Sequence, residues 1–219
     1  MGHGRDRGEP VVGEVRIYVE GGGDCRATKS RVREGFAGFL RELVEIARAG
    51  HVRWSVIVCG GRQTAFEAYE TAKRQHPEAA NVLLVDSERP VTGSACEHLR
   101  QPPDGWAVTP AEQEHLQLMV QTVEHWLIAD LDAVESYYGQ GFRRNPIPAN
   151  VSIEAIGRSD LERGLRAATQ DTKKGPYHKT RHCPDLLRTV ESSKVREACP
   201  HCMRVFRTLA EQMGSTAFS

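Results

Sequence analysis

Short apolar runs alternate with amphipathic segments over the first 140 residues, and this alternation constrains the fold more than any other feature. The patterns predict strands at residues 15–20, 52–59, 81–88 and 115–121, and helices at 28–49, 63–75 and 122–139. The run "NVLLVDSE" at 81–88 is apolar almost to its end, which is typical of a strand buried on both faces of a parallel sheet. Strands that alternate with helices predict an α/β fold with a mostly parallel sheet and right-handed crossovers.

The remainder of the chain has a different pattern. A linker with two prolines follows Gly139, a short helix is expected at 160–168, and further helices are expected near 183–191 and 200–213. We therefore interpret residues 13–139 as an α/β core and residues 140–219 as a helical extension packed on it. The polar segment 1–12 has no apolar region like that of a signal peptide, and we expect a disordered lead-in there.

The overall charge is balanced, because 29 lysines and arginines match 29 aspartates and glutamates. A polyanionic partner would therefore have to be held by local basic clusters or by a metal ion. No apolar run approaches the roughly 20 residues that a membrane span needs, so no membrane association is expected. The six cysteines are expected to be free thiols in a cytoplasmic protein. The oligomeric state stays open, and a homodimer is one state that the sequence allows.

The motif "CPHC" at Cys199–Cys202 has the spacing of half a zinc site. A structural zinc usually needs a second pair with similar spacing, and the nearby His178, His182 and Cys183 do not form one. Proline is favoured at the first position of a helix. We therefore interpret the motif as the start of a helix and do not expect zinc.

Acidic side chains follow three of the predicted strands. Glu20 closes the first strand in "YVEGGGD", Asp86 and Glu88 close the third in "VDSE", and Glu124 follows the fourth. Ligands of open α/β sheets bind beyond the carboxyl ends of the strands, so these four carboxylates are expected to converge. Carboxylates that close together repel one another unless a cation neutralises them, and oxygen ligands suit Mg²⁺ or Mn²⁺. The sequence therefore predicts a metal site made by these residues.

Two details of this prediction depend on local conformation. On an extended segment, Asp86 and Glu88 would project to the same side of the strand. Asp24, after the three glycines, is either a helix cap or a further ligand. Each acid alone could equally be a solvated surface or capping residue, and their shared edge favours the functional interpretation.

A basic loop is expected at residues 171–182, "DTKKGPYHKTRH", and a second basic group follows the glycines. Lysine and arginine suit phosphate, although a solvated surface loop is an alternative. We expect Lys179 of this loop to join Glu20, Asp86 and Glu88 as a catalytic residue. The predicted contacts to phosphate or nucleic acid are Arg26, Lys29, Lys173, Lys174, His178 and Arg181.

These motifs resemble the TOPRIM fold of topoisomerases, primases and related nucleases. "VEGGGD" with Glu20 is similar to its first motif, and "VDSE" to its second, with Glu88 where the family usually has aspartate. Together with "MVQTVEHWLIAD" and "KKGPYHKTRH", the chain resembles a small stand-alone TOPRIM-like family of bacteria. Its members often lie beside ATPases of the ABC or SMC type, in loci that resemble antiphage defence. The resemblance implies a Rossmann-like sheet and an ATPase partner.

The first functional hypothesis is a Mg²⁺- or Mn²⁺-dependent nuclease that hydrolyses DNA or RNA. Asp86 and Glu88 would hold the metal, and Glu20 would share it or act as a general base. The alternative is a non-catalytic binding module, a regulatory subunit of an ATPase partner. Its acidic edge would hold a structural cation, and the apolar face at 126–128 would dock the partner, although the helical spacing favours a core position for Trp126. A nucleotide-binding enzyme is a third hypothesis, but "GGGD" lacks the spacing and the lysine of a P-loop.

Overall fold

The computed structural model describes residues 12–23, 25–150 and 152–218. Within these residues the chain forms an α/β fold in which helices flank a parallel sheet. The predicted lead-in, apart from Val12, and the cap or ligand role of Asp24 lie outside the described residues. No helix of the described chain is long and apolar enough to cross a lipid bilayer.

The sheet has the order β2-β1-β3-β4, and all three strand pairs are parallel. The strands of the described chain are β1 (Glu14–Val19), β2 (Arg53–Val58), β3 (Ala80–Asp86) and β4 (Leu116–Met119). All seven residues of β3 are buried, which confirms the prediction of a strand covered on both faces. Because β3 lies between β1 and β4, the segments that follow these three strands meet at one edge.

Helices cover both faces of the sheet. Their bounds are α1 (Arg26–Phe39), α2 (Arg41–Ala49), α3 (Arg62–Gln75), α4 (Ala95–Arg100), α5 (Val123–Ile128), α6 (Leu131–Tyr138), α7 (Arg158–Thr169), α8 (Lys179–Thr189), α9 (Ser192–Ala198) and α10 (Pro200–Gln212), with 3-10 turns at Pro110–His115 and Ile153–Ala155. Alternate residues of β3 enter two different cores, as strand geometry requires: Leu84 packs with α1, α8 and α10, and Leu83 packs with α3 and α4.

Two glycines let α1 approach α8 closely. A Cβ on Gly35 would lie 2.7 Å from the carbonyl oxygen of Pro184, and one on Gly38 would lie 2.6 Å from the side chain of Arg188. Neither glycine could therefore be replaced without displacing a helix. The close packing joins the segment after residue 140 to the same hydrophobic core as β1.

Four predictions of helices and loops were wrong in their bounds. The helix predicted at 28–49 is broken at Leu40 into α1 and α2, and the loop predicted before residue 110 contains α4. The predicted basic loop ends early, because α8 begins at Lys179 and continues through Pro184. The helix predicted at 122–139 is also interrupted, between α5 and α6.

The apolar face proposed for partner docking is not a surface. Trp126 and Leu127 are fully buried and Ile128 is 6% exposed. The Trp126 ring stacks on Phe39 with ring centroids 5.0 Å apart, in the core between the sheet and α10. That part of the binding-module hypothesis was therefore wrong.

The "CPHC" motif forms the start of a helix, as predicted. Cys199 precedes α10 and Pro200 is its first residue. Both cysteines of the motif are fully buried in the hydrophobic core. His201 is turned away to Glu154, whose carboxylate lies 2.8 Å from the His201 Nδ1.

Candidate active site

Glu20 leaves the end of β1 and points towards β3. Its Oε1 accepts a hydrogen bond from the backbone N–H of Asp86, with an N–O distance of 2.6 Å. The glycines that follow have φ angles of 126°, 75° and 52°, a region that side chains rarely adopt. A Cβ on Gly22 would also lie 3.0 Å from the backbone of Lys29. The glycines therefore allow a tight exit from β1 that leaves the Glu20 carboxylate facing the neighbouring strand.

Asp86 lies at the end of β3 and is only 2% exposed. Its Oδ1 accepts a hydrogen bond of 2.8 Å from the Val123 N–H, at the start of α5. Its Oδ2 lies 2.6 Å from the Lys179 ammonium. Burial raises the pKa of Asp86, and the Lys179 ammonium opposes this rise only in part. The carboxylate is thus held from both sides and has lost most of its hydration.

Glu88 joins Glu20 and Asp86 by a turn of the chain. The expected extended conformation was wrong: β3 ends at Asp86, and Glu88 has a φ angle of 63°, in the left-handed region. The Glu88 N–H is held by the Gln121 carbonyl at 2.8 Å, which fixes the turn against the segment after β4.

The three carboxylates form the acidic trio of this protein. Glu20, Asp86 and Glu88 each offer one oxygen, and these oxygens lie within 4.8 Å of one another. No other group of three or more carboxylate, histidine or cysteine ligands comes as close together in the described part of the chain. The trio occupies the carboxyl edge of β1 and β3, as the topology predicts.

Lys179, the first residue of α8, links Asp86 to Glu124. Its ammonium is 2.6 Å from Asp86 Oδ2 and 3.3 Å from Glu124 Oε2. Burial lowers the pKa of Lys179, but the two carboxylates raise this pKa by a larger amount. The net shift is therefore upward, and the ammonium stays charged. The other oxygen of Glu124 accepts a 2.9 Å hydrogen bond from the Tyr177 hydroxyl. Glu124, a predicted metal ligand, therefore lies outside the trio and beneath Lys179.

Comparison with known proteins gives one match. A family model described as a domain of unknown function, DUF4276, matches residues 19–210, which include Glu20, Asp86, Glu88 and Lys179. The chain belongs to the DUF4276 family. No curated protein and no solved structure matches the chain significantly.

Arg62 is a site residue of this DUF4276 member that the sequence analysis missed. It begins α3, just beyond the carboxyl end of β2, and a two-point ion pair of 2.7 and 3.0 Å holds its guanidinium on Asp104. The guanidinium also lies over the Trp106 ring, 5.1 Å from the centroid, and donates to the Asp86 carbonyl. The rule that placed Glu20 at the sheet edge applies equally to "GGR" after β2 and would have found Arg62.

The pKa of Glu20 reflects this environment. Burial raises the pKa of Glu20 to about 7, and the Asp86 carboxylate contributes to the rise. Arg62, with a nitrogen 3.6 Å from Glu20 Oε1, opposes it, as does Lys179. Glu20 therefore exchanges its proton near neutral pH, which is the range that suits a general base.

The acidic trio lies along a cleft of about 310 Å³. The glycine loop, Arg62 and Lys179 form its polar walls, and side chains of α1 and α8 form an apolar wall. The site as a whole has five carboxylates and three cations. The carboxylates are those of the trio, Glu124 and Asp104, and the cations are Arg62, Arg158 and Lys179. When all are ionised, two negative charges remain uncompensated, which suits a divalent cation.

The predicted phosphate contacts are more scattered. Lys29 lies behind the glycine loop, where its ammonium contacts the Cys59 carbonyl at 3.4 Å, and Lys174 lies over the Tyr137 ring at 4.7 Å. His178 lines a smaller cleft of about 240 Å³ on the other side of Lys179. In the described part of the chain, none of the six predicted contacts lines the main cleft. They are Arg26, Lys29, Lys173, Lys174, His178 and Arg181.

Arg158 is the other residue that the sequence analysis missed. It begins α7, forms an ion pair with Glu88, and also lines the smaller cleft. Seventy residues separate the two partners, and no local pattern marks Arg158, so nothing in the sequence could have indicated this pair.

Proposed function

We propose that this protein is a metal-dependent phosphodiesterase that hydrolyses DNA or RNA. The observation that carries the proposal is the acidic trio, three carboxylates within 4.8 Å of one another at the end of a cleft. The order of the acids along the chain, with Glu20 after β1 and Asp86 and Glu88 after β3, supports assignment to the TOPRIM-like nucleases. An ATPase of the ABC or SMC type is the proposed partner in the cell.

The trio fits a hard divalent cation such as Mg²⁺ or Mn²⁺. Its ligand atoms are carboxylate oxygens, and the surrounding charges leave the group negative. Within the described residues, Oε2 of Glu20 accepts no hydrogen bond, so this oxygen is open to the cleft. Glu20, Asp86 and Glu88 would hold the metal, which would polarise the phosphoryl oxygen and stabilise the leaving oxygen.

The other residues of the site have roles that follow from their positions. Glu20, whose pKa of about 7 lets protons compete for its carboxylate, would hold the metal through Oε2, and the metal would lower the pKa of the attacking water so that its proton passes to solvent. Lys179 opposes the effect of burial on Asp86 and presents positive charge to the bound phosphate. Arg62, fixed on Asp104, places a guanidinium in the cleft beside Glu20.

Cleavage of labelled DNA and RNA with Mg²⁺ or Mn²⁺ tests the proposal, together with calorimetric titration of the metal. Glu20→Gln and Asp86→Asn keep the shape of each side chain and remove its charge, so both should abolish cleavage and weaken metal binding. Glu45→Gln changes an exposed glutamate of α2 outside the cleft and is the matched control. Cleavage by both site variants at the rate of the control would refute the assigned site.

One observation favours a second candidate, a non-catalytic module in which the cluster is purely structural. Lys179 already pairs with Asp86, and Arg158 already pairs with Glu88, so protein cations neutralise two of the three acids. The metal titration separates the two candidates. A module with a self-compensated cluster binds neither Mg²⁺ nor Mn²⁺ at millimolar concentration, and a phosphodiesterase binds at least one of them.

A further inference from the structure

We infer that the cleft admits one unstacked nucleotide, so that the substrate is single-stranded nucleic acid and not an intact duplex. This inference rests on the proposed phosphodiesterase function and concerns the same cleft. Three features of the cleft support it: the depth of Asp86, the size of the space beside the trio, and the apolar chemistry of the remaining lining.

One of the three acids, Asp86, lies deep in the cleft. Asp86 is 2% exposed, and its carboxylate is covered by Lys179 and the start of α5. The glycine loop rises on one side of the trio and the first turn of α8 on the other. A phosphate that reaches these acids must enter the cleft with its sugar, and in a duplex the attached base is stacked inside the helix.

The cleft has room for about one nucleotide. Its volume of about 310 Å³ is that of a small-molecule site, at the lower end of the usual range. In a duplex the base beside each phosphate is paired and stacked, and it cannot enter a space of this size unless it leaves the stack. A single strand can place one phosphate at the trio with its neighbouring base in the remaining space, and an intact duplex cannot.

Much of the cleft lining beyond the acids is apolar. It includes Val32 and Phe36 of α1, Leu187 of α8, Met119 of β4, and Val123 at the start of α5. Val123 connects this lining directly to the trio, because its N–H donates to Asp86. The two cations that line the cleft, Arg62 and Lys179, are both engaged by carboxylates.

Such a lining does not suit a second phosphate. The faces of nucleobases, in contrast, pack on apolar and aromatic side chains without regard to sequence. The nucleobase next to the scissile phosphate therefore packs against the side of the cleft formed by Val32 and Phe36.

The first test uses the unaltered protein and three forms of one labelled oligonucleotide: single-stranded, fully duplex, and single-stranded with one abasic site. The single strand should be cleaved at least about tenfold faster than the duplex, and cleavage next to the abasic site should fall by about tenfold. Equal cleavage of duplex and single strand would overturn the inference and leave the phosphodiesterase proposal intact. No cleavage of any form would overturn both.

A conservative variant tests the contact with the base. Val32 is half-buried and lines the cleft, 3.7 Å from the Cβ position of Gly21, and Val32→Thr replaces one methyl group with a hydroxyl with little change of shape. It should raise the KM for the intact single strand about fivefold and leave the KM for the abasic strand unchanged. Val44→Thr, at a half-buried position of α2 outside the cleft, is the control. An equal effect of Val32→Thr on both strands would contradict the base contact.

Discussion

Replacing Lys179 by methionine removes the one cation that lies between two buried carboxylates. The side chains of Asp86 and Glu124 are 3% and 7% exposed, and the ammonium lies 2.6 and 3.3 Å from their oxygens. Removing one partner of a buried ion pair costs about 3–5 kcal/mol, because the remaining charge is buried without compensation. Since the Lys179 side chain is itself 47% exposed, water replaces part of its effect, and we expect the lower end, about 3 kcal/mol.

Thermal unfolding followed by circular dichroism measures this loss. For a chain of this size, 3 kcal/mol corresponds to a decrease in Tm of about 6–12 °C at pH 7. Lys179→Arg keeps the charge and should recover most of the loss. Lys173→Met removes an exposed lysine from the same segment and should change the Tm by no more than about 1 °C. Millimolar Mg²⁺ should stabilise the methionine variant more than the unaltered protein, because its acidic cluster is more negative.

The destabilisation caused by Lys179→Met should also depend on pH. Burial already raises the pKa of Asp86 above its unfolded value, and without the ammonium this pKa rises further. Such a group destabilises the fold above the unfolded pKa, so the deficit should shrink as the pH falls from 7 to 5. A Tm within about 2 °C of the unaltered protein at pH 7, with no dependence on pH, would refute the view that Lys179 compensates these acids.

Three further predictions concern other parts of the molecule. Because the pKa of Glu20 is about 7, protons compete with the metal below that pH. The Mn²⁺ affinity measured by calorimetry should therefore rise about tenfold from pH 6 to pH 8, and Glu20→Gln should abolish this rise. Asp130→Ala should lower the free energy of unfolding by about 2–3 kcal/mol in urea titrations at pH 7, because buried Asp130 binds the Lys194 ammonium at 2.8 Å and the Glu191 N–H at 3.0 Å. Burial alone would raise the pKa of Asp130, but these contacts lower it, so the stabilisation is present at neutral pH and the difference between the proteins should vanish in strong acid. Gly35→Ala should cost about 1–3 kcal/mol in the same titrations, since its Cβ would lie 2.7 Å from the Pro184 carbonyl, whereas Gly13→Ala meets no atom within 4 Å and should be neutral.

The sheet could be predicted from the sequence because its signals are local. Each strand is a short apolar run, and the burial of β3 on both faces follows directly from its unbroken hydrophobicity. The meeting of Glu20 with Asp86 also follows, since it requires only that β1 and β3 be neighbours. The contribution of Glu88 depended instead on a turn after Asp86 that an extended reading of "DSE" does not indicate.

The helix errors have physical causes. The break at Leu40 carries neither glycine nor proline, and the apolar periodicity continues across it. The start of α4 was marked by a capping box, Ser94 with Glu97, which a pattern search for Ser-x-x-Glu would have found. In α8 the misleading residue was Pro184, because proline is disfavoured inside helices and here lies in one.

The distance along the chain between Asp86 and Lys179 has a consequence for biosynthesis. All four strands have left the ribosome once residue 119 has, but the cation that compensates Asp86 arrives 60 residues later, with Arg158 on the way. An emerging chain can therefore pair its strands while Arg62 is the one described cation of the site that has been synthesised, and domains begin to fold from their N-termini. The acidic cluster is then only partly neutralised, and its charge is balanced further when Arg158 and Lys179 arrive with the last helices.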